Sequence, residues 1–151
     1  MLPNTHGMQA LRILLADRSD ETRDLFTTLF AGMGHTVQTV TSVAGARRAA
    51  SSFRPDAVFT AVFLPDGSGF DLCAALRSTP ETATTLIVAI TGYLSPDSAR
   101  LAHEAGFDDY LVKPVQLDTI LATLDAITGS NARIARHAAP DTPSPAAPTS
   151  A

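Results

Sequence analysis

Asp56-Ala-Val-Phe-Thr-Ala-Val-Phe63, then Leu64-Pro-Asp-Gly-Ser-Gly69, then Phe70-Asp-Leu-Cys-Ala-Ala-Leu-Arg77 are the three consecutive stretches that decide the fold. The first is almost wholly apolar and rich in valine and phenylalanine, as a strand covered on both faces should be. The second concentrates proline, aspartate, glycine and serine, which is loop chemistry throughout. The third places Leu72 and Leu76 four residues apart and reads as a short helix.

The same alternation extends in both directions. Leu11–Ala16 reads as a buried strand. Ser19 can cap a helix whose first turn carries Asp20 and Glu21, charges that suit that end. Its apolar positions are Leu25, Phe26, Leu29, Phe30 and Met33, and Gly34 is a natural stop. Thr36–Val40 is short and β-branched, hence a strand. Ser42 caps a second helix with Val43, Ala46, Ala50 and Phe53 inward, and Pro55 prevents its continuation. Downstream, Thr84–Ile90 is a fourth, nearly continuous apolar strand. Ser95-Pro96 opens a helix that ends at Gly106. Asp109–Val112 is a fifth strand. Leu117, Ile120, Leu121, Leu124 and Ile127 mark a last helix, stopped by Gly129.

Five alternations of strand and helix predict an α/β fold, a five-stranded parallel sheet doubly wound by helices on both faces. In open sheets of this type, sites lie outside the carboxyl ends of the strands. The residues to inspect are therefore Asp17 and Arg18, Ala61 and Val62, Thr91, and Lys113.

Composition bounds the rest. The chain has 151 residues, 45% of them hydrophobic, enough for one domain with a core. Residues 1–10 read as an N-terminal extension, 11–129 as the domain, and 130–151 as a disordered tail. The tail is rich in Ala, Pro, Ser and Thr and lacks periodicity, so it cannot bury enough apolar surface to offset its ordering entropy. A formal net charge of −4 argues against direct nucleic-acid binding. The apolar runs are too short for a membrane span, and the first residues lack a signal-peptide pattern. A cytoplasmic setting is the expectation. Cys73 is the single cysteine, and its place on an apolar helix face marks it as a packed residue rather than a nucleophile. His6, His35, His103 and His137 are far apart and are expected to be ordinary exposed residues, and Arg47-Arg48 a solvated helix face.

Several motifs, correctly spaced, then carry a resemblance. They are Ile13-Leu-Leu-Ala-Asp17, Pro55-Asp-Ala-Val-Phe59, Leu64-Pro-Asp-Gly-Ser-Gly-Phe70, Thr91-Gly92 and Ala105-Gly-Phe-Asp-Asp-Tyr-Leu-Val-Lys-Pro114. With them the chain resembles the receiver (CheY-like) domain of two-component response regulators over about Leu11 to Ile127. The resemblance implies a flavodoxin-like strand order, 2-1-3-4-5. It also implies a pocket in which two acidic residues after the first strand and an aspartate ending the third hold magnesium. That aspartate accepts a phosphoryl group. A lysine before proline, a Thr or Ser after the fourth strand and an aromatic in the fifth complete the set.

Asp17, Thr91, Tyr110 and Lys113 match that pattern, but Arg18 stands at the second acidic position and Ala61 at the acceptor position. Alanine offers no nucleophile, and arginine is always charged and cannot bind a cation. Magnesium binding is therefore expected to be lost, with no other cofactor or metal implied. An ion pair of Asp17 with Lys113 or Arg18 would replace it, unless Arg18 points to solvent. Asp66 reads as a turn former rather than a ligand.

The resulting expectation is a non-enzymatic pseudo-receiver that acts through a protein partner, such as a histidine kinase or another signalling protein. With no output domain following, it would have to work through another protein. By the resemblance, its contact face would include Tyr93, Leu94, Arg100, His103, Tyr110, Val115 and Gln116. Two alternatives stand beside it. One is a phosphoryl acceptor using Asp17 or Thr60. The other is a sensor in which Arg18 and Lys113 grip a phosphate-bearing ligand.

Overall fold

The computed structural model describes residues 10–92 and 96–128. The expected tail, together with Tyr93 and Leu94, lies outside them.

Five parallel strands form one sheet: β1 (Arg12–Ala16), β2 (Thr36–Val40), β3 (Ala57–Ala61), β4 (Leu86–Thr91) and β5 (Asp109–Val112). Their order is β2-β1-β3-β4-β5, as expected. Helices α1 (Asp20–Gly32), α2 (Val43–Phe53), α3 (Gly69–Arg77), α4 (Pro96–Ala105) and α5 (Leu117–Thr128) follow the strands in turn. Alternation along each strand splits the core in two. Leu14, Val58 and Ile87 pack with Leu72, Cys73 and Leu76 of α3 and with the alanines of α2. Ile13, Leu15, Phe59, Val88 and Leu111 pack with Phe26 and Phe30 of α1 and Ile120 of α5. Phe26, Phe30 and Phe59 form a triangle with ring centroids 5.1 to 6.0 Å apart, the separation at which aromatic rings attract beyond simple burial.

The Ser19 and Ser42 caps arise as the sequence suggests, and the fold adds two more. Ser19 Oγ accepts from Thr22 N at 3.2 Å and Ser42 Oγ from Gly45 N at 3.0 Å. Ser68 and Asp71 exchange reciprocal bonds at the start of α3, each 3.1 Å, a capping box. The second addition is Asp66, whose carboxylate accepts from Val43 N at 2.7 Å and Ala44 N at 3.0 Å. It caps α2 from a distant loop, and those amides hold its carboxyl below the ordinary range.

Four expectations are corrected. The third strand stops at Ala61, not Phe63, because Phe63–Leu64 turns to pair antiparallel with Gly67–Ser68. Leu25, Leu117 and Leu121 are exposed, while Phe26, Leu29, Phe30 and Met33 of α1 and Ile120 of α5 take the places against the sheet. The short helix begins at Gly69, where a Cβ would lie 2.4 Å from Ala61 O. His35 is buried, with Nδ1 accepting from Leu11 N at 2.9 Å. Cys73, by contrast, is packed as expected, and burial pushes its thiol pKa up.

Candidate functional site

Parallel strands deliver their carboxyl ends to one edge of the sheet. There the chain places Asp17 just after β1, Ala61 as the last residue of β3, Thr91 as the last of β4 and Lys113 just after β5. Backbone bonds fix the rim: Asp17 N donates to Val40 O at 3.1 Å, Val62 N to Ile90 O at 3.1 Å, and Lys113 N to Thr91 O at 2.7 Å.

Asp17 is 1% exposed. Its Oδ1 accepts from Ser19 N at 2.8 Å, which fixes the side chain inward and ties it to the start of α1. Its Oδ2 lies 3.3 Å from Lys113 Nζ. This contact is ionic rather than a directed hydrogen bond. Given the strand order, the pair reaches from β1 to β5 across the ends of β3 and β4. Of the two pairings anticipated for Asp17, the one with Lys113 forms, and Arg18 is exposed.

Ala61 is buried and contributes only a methyl group to this end. The oxygen donors that the matched positions supply reduce to Asp17, and both of its oxygens are engaged. A hard divalent cation takes six or more oxygen ligands, water and one or two carboxylates among them, and the carboxylate here already faces a lysine. Among the described residues no three His, Cys, Asp or Glu side chains are grouped to hold a metal ion. Thr60, next to Ala61, is fully buried, and its hydroxyl donates to Ala61 O at 3.0 Å.

Tyr110 and Thr91 are half-buried and line one cavity of about 190 Å³ together with Val62, Phe63, Phe70 and Leu101. Phe63 is 72% exposed at its mouth. Sequence reading placed Phe63 inside the third strand and so missed it; the Pro65-Asp66-Gly67 turn immediately downstream was the available signal. Of the expected contact face, Arg100 and His103 are exposed on α4, Gln116 is exposed, and Val115 is half-buried before α5. Arg100 is already engaged, by Asp97 at 3.3 Å and Glu104 at 3.2 Å. No described helix is long and apolar enough to cross a membrane.

Known proteins share this arrangement. The model of the response regulator receiver domain matches residues 13–125. The transcriptional regulatory protein GltR of Pseudomonas aeruginosa is 33% identical over 115 residues, covering 76% of this chain and 48% of GltR. The response regulator MprA of Mycobacterium ulcerans is 32% identical over 118 residues, 78% of this chain and 50% of MprA. The chain thus spans about half the length of these relatives. The solved structure of the chemotaxis response regulator CheY4 of Vibrio cholerae superimposes with a TM-score of 0.74 at 26% identity, covering 79% of this chain and 99% of that one. Sheet order, motif positions and these likenesses agree, and the chain belongs to the response regulator receiver domain family, the signalling module of two-component systems.

Proposed function

We propose that this chain is a pseudo-receiver, a member of its family that signals by binding a protein partner without being phosphorylated on aspartate. The observation that carries the reading is the pairing of Asp17 with Lys113 over a β3 that ends in Ala61. Phosphoryl transfer to a carboxylate needs that carboxylate in line with the leaving oxygen, and a cation to absorb the developing charge. Ala61 supplies no carboxylate. With Arg18 beside it, Asp17 has a lysine for its counter-charge in place of magnesium.

The alternative acceptors fare worse. Thr60 is sealed in the core with its hydroxyl already donated. Asp17 is buried and held by Ser19 and Lys113. The partner, a histidine kinase or another signalling protein, would meet the face formed by α4, β5 and the start of α5. Among the described residues, His103, Gln116 and the half-buried Tyr110 and Val115 are side chains of that face. A second reading, an anion sensor at this end, has less support, because Lys113 is already neutralised by Asp17.

The deciding experiment is intact-mass analysis after incubation with acetyl phosphate and magnesium. No added phosphate is expected. A stoichiometric phosphoryl adduct on the unmodified chain would overturn the reading.

A further inference from the structure

The groove between α2 and α3, away from the strand ends just described, concentrates positive charge in a chain that is acidic overall. Just past the end of α2 it is lined by Arg54, and along α2 by Ala44, Arg47, Arg48 and Ser51. These positions follow the i, i+3, i+4, i+7 spacing of one helix face. Opposite them stand Leu76 and Thr79, with Glu81 and Thr82 just beyond. The volume of this open groove is about 510 Å³, within the range of small-molecule sites.

Most other cations of the fold have a partner, Arg18 excepted. Arg23, Arg77, Arg100 and Lys113 each face a carboxylate, and Arg12 donates to Phe53 O. Among the described residues Arg47, Arg48 and Arg54 form no ion pair. Glu81, the acidic residue on the rim, does not approach any of them to salt-bridge distance. Three guanidiniums thus border one groove with no carboxylate at salt-bridge distance, an arrangement that can receive an anion. The floor is apolar and small, with Ala50 and Leu76 buried. A planar ring can lie on such a floor while guanidinium forks hold phosphate oxygens two at a time.

We infer that the α2–α3 groove binds a small molecule carrying two or more phosphate groups. The source is either a nucleotide, which would also use the apolar floor, or an inorganic polyphosphate, which would use the arginines alone.

The test is calorimetric titration of the whole chain with tripolyphosphate, ATP and adenosine, with backbone amide shifts recorded in parallel. Saturable one-to-one binding of ATP or tripolyphosphate is expected, weakening several-fold as salt rises. The amides of Arg47, Ser51, Thr79 and Thr82 should move. ATP tighter than tripolyphosphate identifies a nucleotide site, and equal affinity identifies a polyphosphate site. Arg47→Gln/Arg48→Gln/Arg54→Asn should bind at least tenfold more weakly. All three positions are exposed, and Asn tolerates the left-handed backbone at position 54 (φ 55°). Replacement of all three by lysine should retain only part of the affinity, since lysine keeps the charge and loses the fork. No saturable binding of either phosphate compound at millimolar concentration would overturn the inference. So would unchanged affinity in the neutral variant, adenosine binding as well as ATP, shifts confined to the Asp17–Lys113 end, or tighter binding of a glutamate-rich peptide.

Discussion

Arg77 Nη2 lies 2.9 Å from Asp108 Oδ2, and the same carboxylate oxygen accepts from Ile87 N at 2.9 Å. The guanidinium also donates to the carbonyls of Ala83, Thr85 and Gly106. One side chain from the end of α3 thus ties together the entry to β4 and the turn between α4 and β5. Arg77→Ala leaves Asp108 without its ionic partner and three carbonyls without a donor, a change that costs about 3 kcal/mol or more. Arg77→Lys should recover less than half, because an ammonium lacks the fork that reaches all of these acceptors. Urea unfolding of the three proteins tests this, and a lysine variant as stable as wild type would refute the geometry.

The Asp17–Lys113 pair makes a second prediction. Lys113→Met strands a buried carboxylate and should destabilise the fold more than Asp17→Asn does. The double variant should be more stable than the sum of the two losses implies. Lys113 is partly open to solvent, so the coupling should sit near the low end of the usual range, about 1 kcal/mol. Additive losses in a double-mutant cycle would show that the two charges do not interact.

His35 predicts a pH dependence. Burial lowers its pKa below the ordinary value of 6.5, so the folded state holds it neutral while the unfolded state protonates near 6.5. The unfolded chain then binds more protons as pH falls, and stability drops. The contribution is complete above the unfolded pKa and fades below it. Protonation would also remove the Nδ1 lone pair that accepts from Leu11 N. Urea midpoints should decline from about pH 7 toward pH 5, and His35→Asn should flatten that slope. An equal slope in the variant would assign the effect to another group.

Revertants address the missing carboxylates. Ala61→Asp alone should label weakly with acetyl phosphate, because Arg18 still opposes the metal. Ala61→Asp with Arg18→Asp should label and should bind magnesium, whereas wild type should show no saturable magnesium titration in the millimolar range. Mass spectrometry and metal titration of the wild type, the two single variants and the double variant decide it. An inert double variant would mean that the pocket has diverged beyond these two positions.

Much of this was legible in the chain because its signals are local and repeated. Caps at Ser19 and Ser42, apolar runs of strand length and glycines at helix ends each fix an element without knowledge of its neighbours. The Asp17–Lys113 contact could be anticipated because strand order sends both residues to one edge. What escaped depends on three-dimensional surroundings. His35 is one polar residue before a strand, and nothing in its neighbourhood reveals that Leu11 supplies a partner. Asp66 reads as a turn residue, and only the folded loop carries its carboxylate to the amides of α2. Leu25, Leu117 and Leu121 lengthen apolar stripes whose buried width is set by the sheet, not by the helix that bears them.

The bridge from β1 to β5 also has a kinetic meaning. Its partners come from near the first and last parts of the domain, so closing it requires the intervening strands to be in place. Contacts between such distant segments form late, after the loop-closure entropy has been met by nearer ones. A late contact is absent from the folding transition state, so its loss leaves the folding rate almost untouched and accelerates unfolding. Lys113→Met should therefore steepen nothing on the refolding limb of a chevron and raise the unfolding limb, making this pair a determinant of how long the folded state lasts.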